Sequence, residues 1–204
     1  SELDALQSQI NPHFLYNTLN TVNWLAKKGG QEEIATIAQS LGNLLRSTLK
    51  NNETTIQLQT EMEIVFYYLN IQKIRFENLV VTTYIEPGVE FLQIPKMTIQ
   101  PLVENAIFYS QEEAQDEYKI GIDIRKKKQM VQIEVSNSGG PIDENILEHL
   151  QDKSVKAKGN GVGLLNINSR LCMISGEESQ LHFENRDGMA VVWFGIPVGK
   201  KDIL

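Results

Sequence analysis

Pro12 interrupts a run that otherwise reads as one long amphipathic helix. From Leu3 to about Lys28, apolar residues fall at Leu3, Leu6, Ile10, Phe14, Val22 and Leu25, with Leu15 and Leu19 widening the stripe. Proline has no N–H and its ring collides with the preceding turn. The helix therefore either restarts here, with Asn11 as N-cap and Pro12 as first helical residue, or it kinks. Both outcomes expose His13 and re-aim its ring. Asn17 lies one turn beyond His13 and Asn20 two turns beyond, giving a polar edge beside the apolar stripe. Taken alone, a histidine at the start of an apolar helix is more often a packed or capping residue than a reactive one.

Gly29-Gly30 stops this helix, and a second is predicted from Glu32 to Lys50 with Ile34, Ile37, Leu41, Leu44, Leu45 and Leu49 on its stripe. One hairpin cannot bury two such stripes by itself. The expectation is a homodimer whose hairpins form a four-helix bundle, the alternative being packing against the rest of the same chain.

The polar connection Asn51-Asn52-Glu53-Thr54-Thr55-Ile56 marks a boundary, with residues 1–52 as the hairpin and 53–204 as a second domain. In that domain a helix is expected from Thr60 to Phe76, with Thr60 as N-cap and Glu63 completing a capping box. Leu79 to Ile85 is β-branched and reads as a strand closed by Pro87-Gly88. A helix from Met97 or Pro101 to Ser110 follows, then strands from Lys119 to Arg125 and from Met130 to Asn137. A short helix spans Asp143 to Leu150, another runs from the glycines near 160 to Ile174, and strands 179–185 and 190–197 turn at Arg186-Asp187-Gly188. The fold class is α+β: a helical hairpin, then helices on one face of a mixed sheet.

Composition narrows the function classes. The net charge is −7, from 19 basic and 26 acidic residues, and the only basic cluster is Arg125-Lys126-Lys127-Lys128. Nucleic acid is thus not an expected partner, since backbone phosphates require a broad positive face. Cys172 is the only cysteine, which leaves no disulfide framework and no cysteine-based zinc site. No apolar run is long enough to cross a bilayer, so no membrane contact is expected of this stretch of chain. The sequence opens at Ser1 already within a helical pattern, as a fragment of something longer would.

Three later stretches carry polar chemistry. Gln100-Pro101-Leu102-Val103-Glu104-Asn105-Ala106 places an asparagine on a helix, where its amide could complete the shell of a phosphate-bound Mg²⁺. Val135-Ser136-Asn137-Ser138-Gly139-Gly140 ends a strand in a polar side chain beside glycines, which suits reading the edge of a base. Gly159-x-Gly161-x-Gly163-Leu164 leads into a helix, so backbone amides and the helix N-terminus favour phosphate. This is neither a dinucleotide-binding fingerprint nor a P-loop, and each signal alone is weak. His149 and His182 read as structural or surface residues.

In this order after Asn11-Pro12-His13, the stretches resemble the cytoplasmic core of sensor histidine kinases, in the YesM- and LytS-like branch. The resemblance is carried by Gln9 to Asn17, by Tyr68 to Phe76, by Pro95 to Ala106, and by Gly161-Val162-Gly163-Leu164-Leu165-Asn166 with Arg170-Leu171. It implies a dimerising phosphoacceptor hairpin followed by a Bergerat-type ATP-binding α/β sandwich. It also implies ATP and Mg²⁺ as ligands, a response-regulator receiver domain as partner, and a membrane-anchored bacterial receptor of which this is the cytoplasmic part. His13 would be the phosphoryl acceptor, with Asn17 orienting its ring. Asn105 would be the Mg²⁺ ligand, Tyr109 the ring packed on adenine, and Asn137 the adenine reader, followed by Gly139. Gly159, Gly161, Gly163 and Leu164 would belong to the phosphate lid, with Gln151 to Lys158 as a mobile segment that orders on ATP.

The chain departs from the family pattern in three places. Asn137 stands where an aspartate is usual, Pro141 where glycine is frequent, and Phe108-Tyr109-Ser110 where a basic residue, a ring and a glycine are common. Asn137→Asp is therefore expected to bind ATP at least as well as the native chain. Related ATPases carry a glutamate one turn before the metal asparagine, and Pro101 occupies that place, which disfavours hydrolysis. The alternative to a kinase is a catalytically weak, dimeric docking module with a degenerate nucleotide pocket.

Overall fold

In the computed structural model, residues 11–49, 53–152 and 161–199 are described. The first helix, α1, spans Pro12–Lys28, and Asn11 Oδ1 accepts from the His13 and Phe14 amides at 3.1 and 3.4 Å. Of the two outcomes open at Pro12, the helix starts there. Gly29 ends it, and Gly30 at φ 69° makes the turn into α2, Glu32–Leu49. Ala26, Ala35 and Ala38 are buried in this hairpin, and Arg46 both donates to the Tyr16 hydroxyl and lies over its ring. Phe14, Val22, Trp24, Leu25, Ile34 and Leu41 remain exposed.

The chain divides into two compact units, Ser1–Asn52 with Glu63–Glu77, and Glu53–Met62 with Asn78–Leu204. Helix α3, Leu58–Arg75, runs from the second unit into the first. It begins directly after strand β1, Thr55–Gln57, two residues before the expected start. The Thr60 capping box does not form, because the first amides of α3 already have acceptors. Leu58 N donates to Leu92 O at 2.8 Å and Gln59 N to Glu90 O at 3.0 Å.

The second unit is built on a five-stranded sheet ordered β2-β4-β5-β7-β6. Its strands are β2 (Leu79–Ile85), β4 (Tyr118–Lys127), β5 (Met130–Asn137), β6 (His182–Arg186) and β7 (Met189–Pro197). β2 pairs parallel with β4 and every other pair is antiparallel, so the sheet is mixed. Strand β3, Gln93–Pro95, pairs with β1 in a separate two-stranded ribbon. Helices α4 (Ile99–Ser110) and α6 (Gly161–Ser175), with the short α5 (Ile146–Gln151), complete the layer. β-branched residues of the sheet, among them Ile120, Ile122, Ile124, Ile133 and Val135, are buried with Leu102, Val103 and Ile107 of α4 and Leu171 of α6. Along β5 burial alternates strictly, as expected when one face of a strand meets a core.

Two further boundaries differ from expectation because a side chain or glycine takes up local backbone. Asp143 accepts from Asn145 N at 3.0 Å and meets His149 Nδ1 at 2.5 Å, so α5 begins only at Ile146. Gly176, at φ 104°, opens a short 3₁₀ turn over Glu177–Ser179, and the following strand starts at His182 rather than 179.

The start of α4 is held from a distance. Thr98 is its N-cap but makes no capping side-chain bond. Instead the buried Glu61 carboxylate of α3 accepts from the amides of Met97, Thr98, Ile99 and Gln100 at 3.2, 3.0, 3.0 and 3.3 Å. Burial pushes the Glu61 carboxyl above its ordinary range, and the four amides pull in the opposite direction. Replacing Glu61 with leucine would leave these buried donors unpaired, at a cost of about 3 kcal/mol. Glu61→Gln, which keeps one carbonyl oxygen for three of them, is expected to cost about 1 kcal/mol. Urea unfolding of the two variants against the native chain checks the order.

His149 is an exposed histidine paired with an exposed acid. The hydrogen bond that His149 donates to Asp143 raises the histidine pKa above 6.5, and the same pairing lowers that of Asp143. A raised histidine pKa means that the pair supports α5 fully below the ordinary histidine range and stops doing so as pH rises through the raised value. An NMR titration is expected to place the His149 midpoint above 6.5, and Asp143→Asn to lower it.

Candidate functional site

Asn137 reaches the site by strand parity. It shares the buried face of β5 with Val131, Ile133 and Val135, and sits at the strand's end, paired with Ala190 of β7. A buried position filled by an amide needs a polar partner. Asn137 Nδ2 donates to Ser138 O at 2.8 Å, and since a carbonyl can only accept, this bond dictates the orientation of the amide. Its Oδ1 is left as an acceptor with no partner among the described residues.

Asn105 is also buried, at 7% exposure, and its amide makes no hydrogen bond with a described residue. It faces the same cavity as Asn137, a space of about 20 Å³ whose further lining includes Leu102, Tyr109, Ile142, Leu164 and Phe183. That volume holds about one water, so entry of a planar base requires the walls to part. The walls are apolar, and each asparagine brings an amide whose oxygen is an acceptor. One suits an exocyclic amino group and the other a hard cation, so the residues fit both a purine and Mg²⁺.

The surrounding loops are tied to this arrangement. Gly139 has φ 111°, and a Cβ there would fall 2.6 Å from Ser110 O, so only glycine lets the strand end pass the end of α4. Asn185 of β6 accepts from Ile142 N at 2.9 Å and donates to Ile142 O at 2.9 Å, pinning one wall. Tyr109 meets Phe108 edge-on at 5.4 Å, and burial, then Glu112, raises its phenol pKa. Phe108 itself is exposed.

Of the residues expected in the lid, Gly161 opens α6 and Gly163 lies in its first turn. Leu164 is buried at 2% and acts as apolar lining. Gly159 and residues 153–158 of the expected mobile segment lie outside the described residues. Sequence reasoning missed Ile142 and Phe183, which reach the cavity from a loop and an edge strand, and it missed Glu61. None of these carries a local signal, because their partners are distant in sequence.

In the other unit His13 is exposed in the first turn of α1. Asn17 Nδ2 lies 3.3 Å from its Nδ1 and 3.4 Å from its Nε2. Nearly equal, long distances do not single out one ring nitrogen. Asn17 therefore accompanies the ring without selecting its tautomer.

Family models match along the chain: histidine kinase over residues 1–80, and histidine kinase-, DNA gyrase B-, and HSP90-like ATPase over residues 93–200. The chain belongs to this ATPase family, in its sensor histidine kinase branch. It is 42% identical to the sensor histidine kinase YesM of Bacillus subtilis (strain 168) over 195 residues, covering 94% of this chain and 33% of that protein. The sensor protein LytS of Streptococcus mutans is 33% identical over 204 residues, covering 99% of this chain and 35% of that protein. The chain thus spans about a third of the length of the curated relatives it matches. Among solved structures, the catalytic domain of the histidine kinase ThkA is similar with a TM-score of 0.57 and 27% identity, over 73% of this chain and 97% of that one.

The Asn137 geometry changes what an acid there would do. A carboxylate could accept more strongly from an amino group, but it would lose the bond to Ser138 O and face that carbonyl with another acceptor. The gain and loss are each worth about 1 kcal/mol, so calorimetry is expected to find ATP binding by Asn137→Asp within about threefold of native. Asn137→Leu, with no acceptor, is expected to lose about tenfold or more.

Proposed function

We propose that this chain is the ATP-dependent catalytic core of a two-component sensor histidine kinase. Residues 1–52 serve as the dimerising phosphoacceptor hairpin and 53–204 as the nucleotide-binding domain. The observation that carries the reading is the convergence of two buried asparagines, Asn105 and Asn137, on one apolar cavity. Asn137 Oδ1 accepts from the adenine amino group, Tyr109 and Leu164 pack on the ring, and Gly161 and Gly163 let the backbone approach the phosphates. Asn105 holds Mg²⁺, which when bound neutralises phosphate charge.

The reacting group is a neutral nitrogen of His13. Its lone pair forms a bond to the γ-phosphorus in line with the departing oxygen, the P–O bond to ADP breaks, and the other ring nitrogen gives up its proton to solvent. Little covalent assistance is needed, and positioning with charge neutralisation supplies most of the acceleration. The start of α1 is suited to the product, because a helix N-terminus favours the added negative charge. The phosphoryl group then passes to an aspartate of a response-regulator receiver domain.

Hydrolysis is disfavoured by the residues around Asn105. Pro101 lies one turn earlier and offers no base for water, while Glu104 accepts from Gln100 Nε2 at 3.0 Å and does not line the cavity. The exposed Phe14, Trp24, Leu25 and Ile34 support a homodimer that buries them in a four-helix bundle. No helix among the described residues is long and apolar enough to cross a membrane. With the chain spanning a third of its relatives, we place it as the cytoplasmic part of a membrane-anchored receptor.

Incubation with Mg²⁺ and γ-labelled ATP tests the reading. Acid-labile, base-stable label is expected on the native chain and not on His13→Gln. Binding without label in the presence of the upstream segment would instead favour a docking module with a degenerate pocket, and phosphate release without label would favour an ATPase.

A further inference from the structure

Met97 holds a backbone conformation that a side chain opposes. Its φ is 58°, in the left-handed region, and its side chain is 37% exposed, so packing of that side chain does not explain the geometry. Such a conformation is unfavourable for a non-glycine residue and persists where the surroundings enforce it. Two charged side chains from different helices do so here. Glu61 of α3 accepts from the Met97 N–H at 3.2 Å, and Arg170 of α6 donates from Nη2 to the Met97 carbonyl. Thr98 adds a hydroxyl bond to Pro95 O at 2.8 Å.

The Arg170 guanidinium is half-buried. Its Nε is buried and has no hydrogen-bond partner among the described residues. Desolvating that group for one carbonyl is costly, which makes the bond to Met97 a feature to be accounted for. Met97 precedes α4, the helix of Asn105 and Tyr109, while Arg170 lies on the helix that opens with Gly161 and Gly163. The clamp therefore ties the start of the proposed metal-binding helix to the body of the proposed phosphate-binding helix.

Resting on the function proposed above, we infer that Glu61 and Arg170 are positioning residues. Closed on the strained Met97 peptide, they set α4 against α6 so that Asn105 meets the metal carried by the phosphates. The adenine reader Asn137 belongs to neither helix, being on β5. Loss of the clamp should then weaken the metal-dependent part of nucleotide binding and spare the adenine part. Glycine at position 97 should relieve the need for the clamp, because it adopts a left-handed φ without the penalty.

The test is calorimetric titration of ATP, in excess Mg²⁺ and separately in EDTA, into the native chain, Arg170→Ala, Arg170→Lys and the double variant Arg170→Ala with Met97→Gly. Arg170→Ala is expected to lose about tenfold in Mg²⁺ and to stay within about threefold of native in EDTA, a charge-assisted bond being worth about a decade. Arg170→Lys, which keeps one donor, and the double variant are expected to recover to within about threefold of native in Mg²⁺. Hydrogen exchange of the amides at 98–100 without nucleotide is expected to quicken in Arg170→Ala while that of β4 and β5 does not. A loss that is equal with and without Mg²⁺, no loss, or no recovery at position 97 would overturn the inference while leaving the kinase reading intact. Absence of ATP binding by the native chain would overturn both.

Discussion

The Glu61 carboxylate at the start of α4 is the contact on which the second unit most depends. A helix leaves its first amides without intrahelical acceptors, and α4 has no capping side chain of its own. A buried carboxylate is equally unfavourable unless its oxygens are satisfied. Each deficit answers the other: four amides meet the two oxygens of a buried carboxylate, and the helix dipole adds a favourable term. Because one partner is on α3 and the other on α4, the bond set also fixes where α4 begins. The phase of α4 in turn places Asn105 and Tyr109 on the cavity rather than on a solvent face.

The site is completed by the sheet under a different constraint. With a period of two, a strand that buries Val131, Ile133 and Val135 must also bury Asn137. An amide at the end of a core-facing row is costly unless it binds something, and one half of it binds the adjacent Ser138 carbonyl. The other half opens on the cavity. Gly139 then lets the chain leave the sheet against the backbone of Ser110, so the ends of β5 and α4 come together without an intervening side chain. A base-reading acceptor and a metal-binding amide thus arrive at one place from two elements with separate reasons for their positions.

Much of this was legible in the residues. Pro12 and Gly29-Gly30 delimited α1 because one lacks an amide hydrogen and the others tolerate the turn. Strands β2 and β5 followed from β-branched runs and ended where expected, and the mixed sheet with helices on one face matched the expected class. Asn105, Tyr109, Asn137 and Leu164 were singled out and do line one cavity. Less legible were starts governed by remote partners. Thr60 looked like a cap, yet the loop before β3 supplies the acceptors for α3, and the true capping acid, Glu61, serves another helix.

The sequence by itself determined most of the elements, their order and the family, because periodicity, proline, glycine and short polar motifs act over a few residues, whereas strand β3 and the 3₁₀ turn at Glu177–Ser179 were not expected. Only the tertiary structure decided which amides would be left without partners. Asn105 and Asn137 lie 32 residues apart in sequence, and they share a cavity only once α4 lies against β5. The same holds for Met97, whose left-handed peptide is secured by one carboxylate and one guanidinium from far along the chain. Such pairings depend on the distance between elements in space, and no local pattern records it.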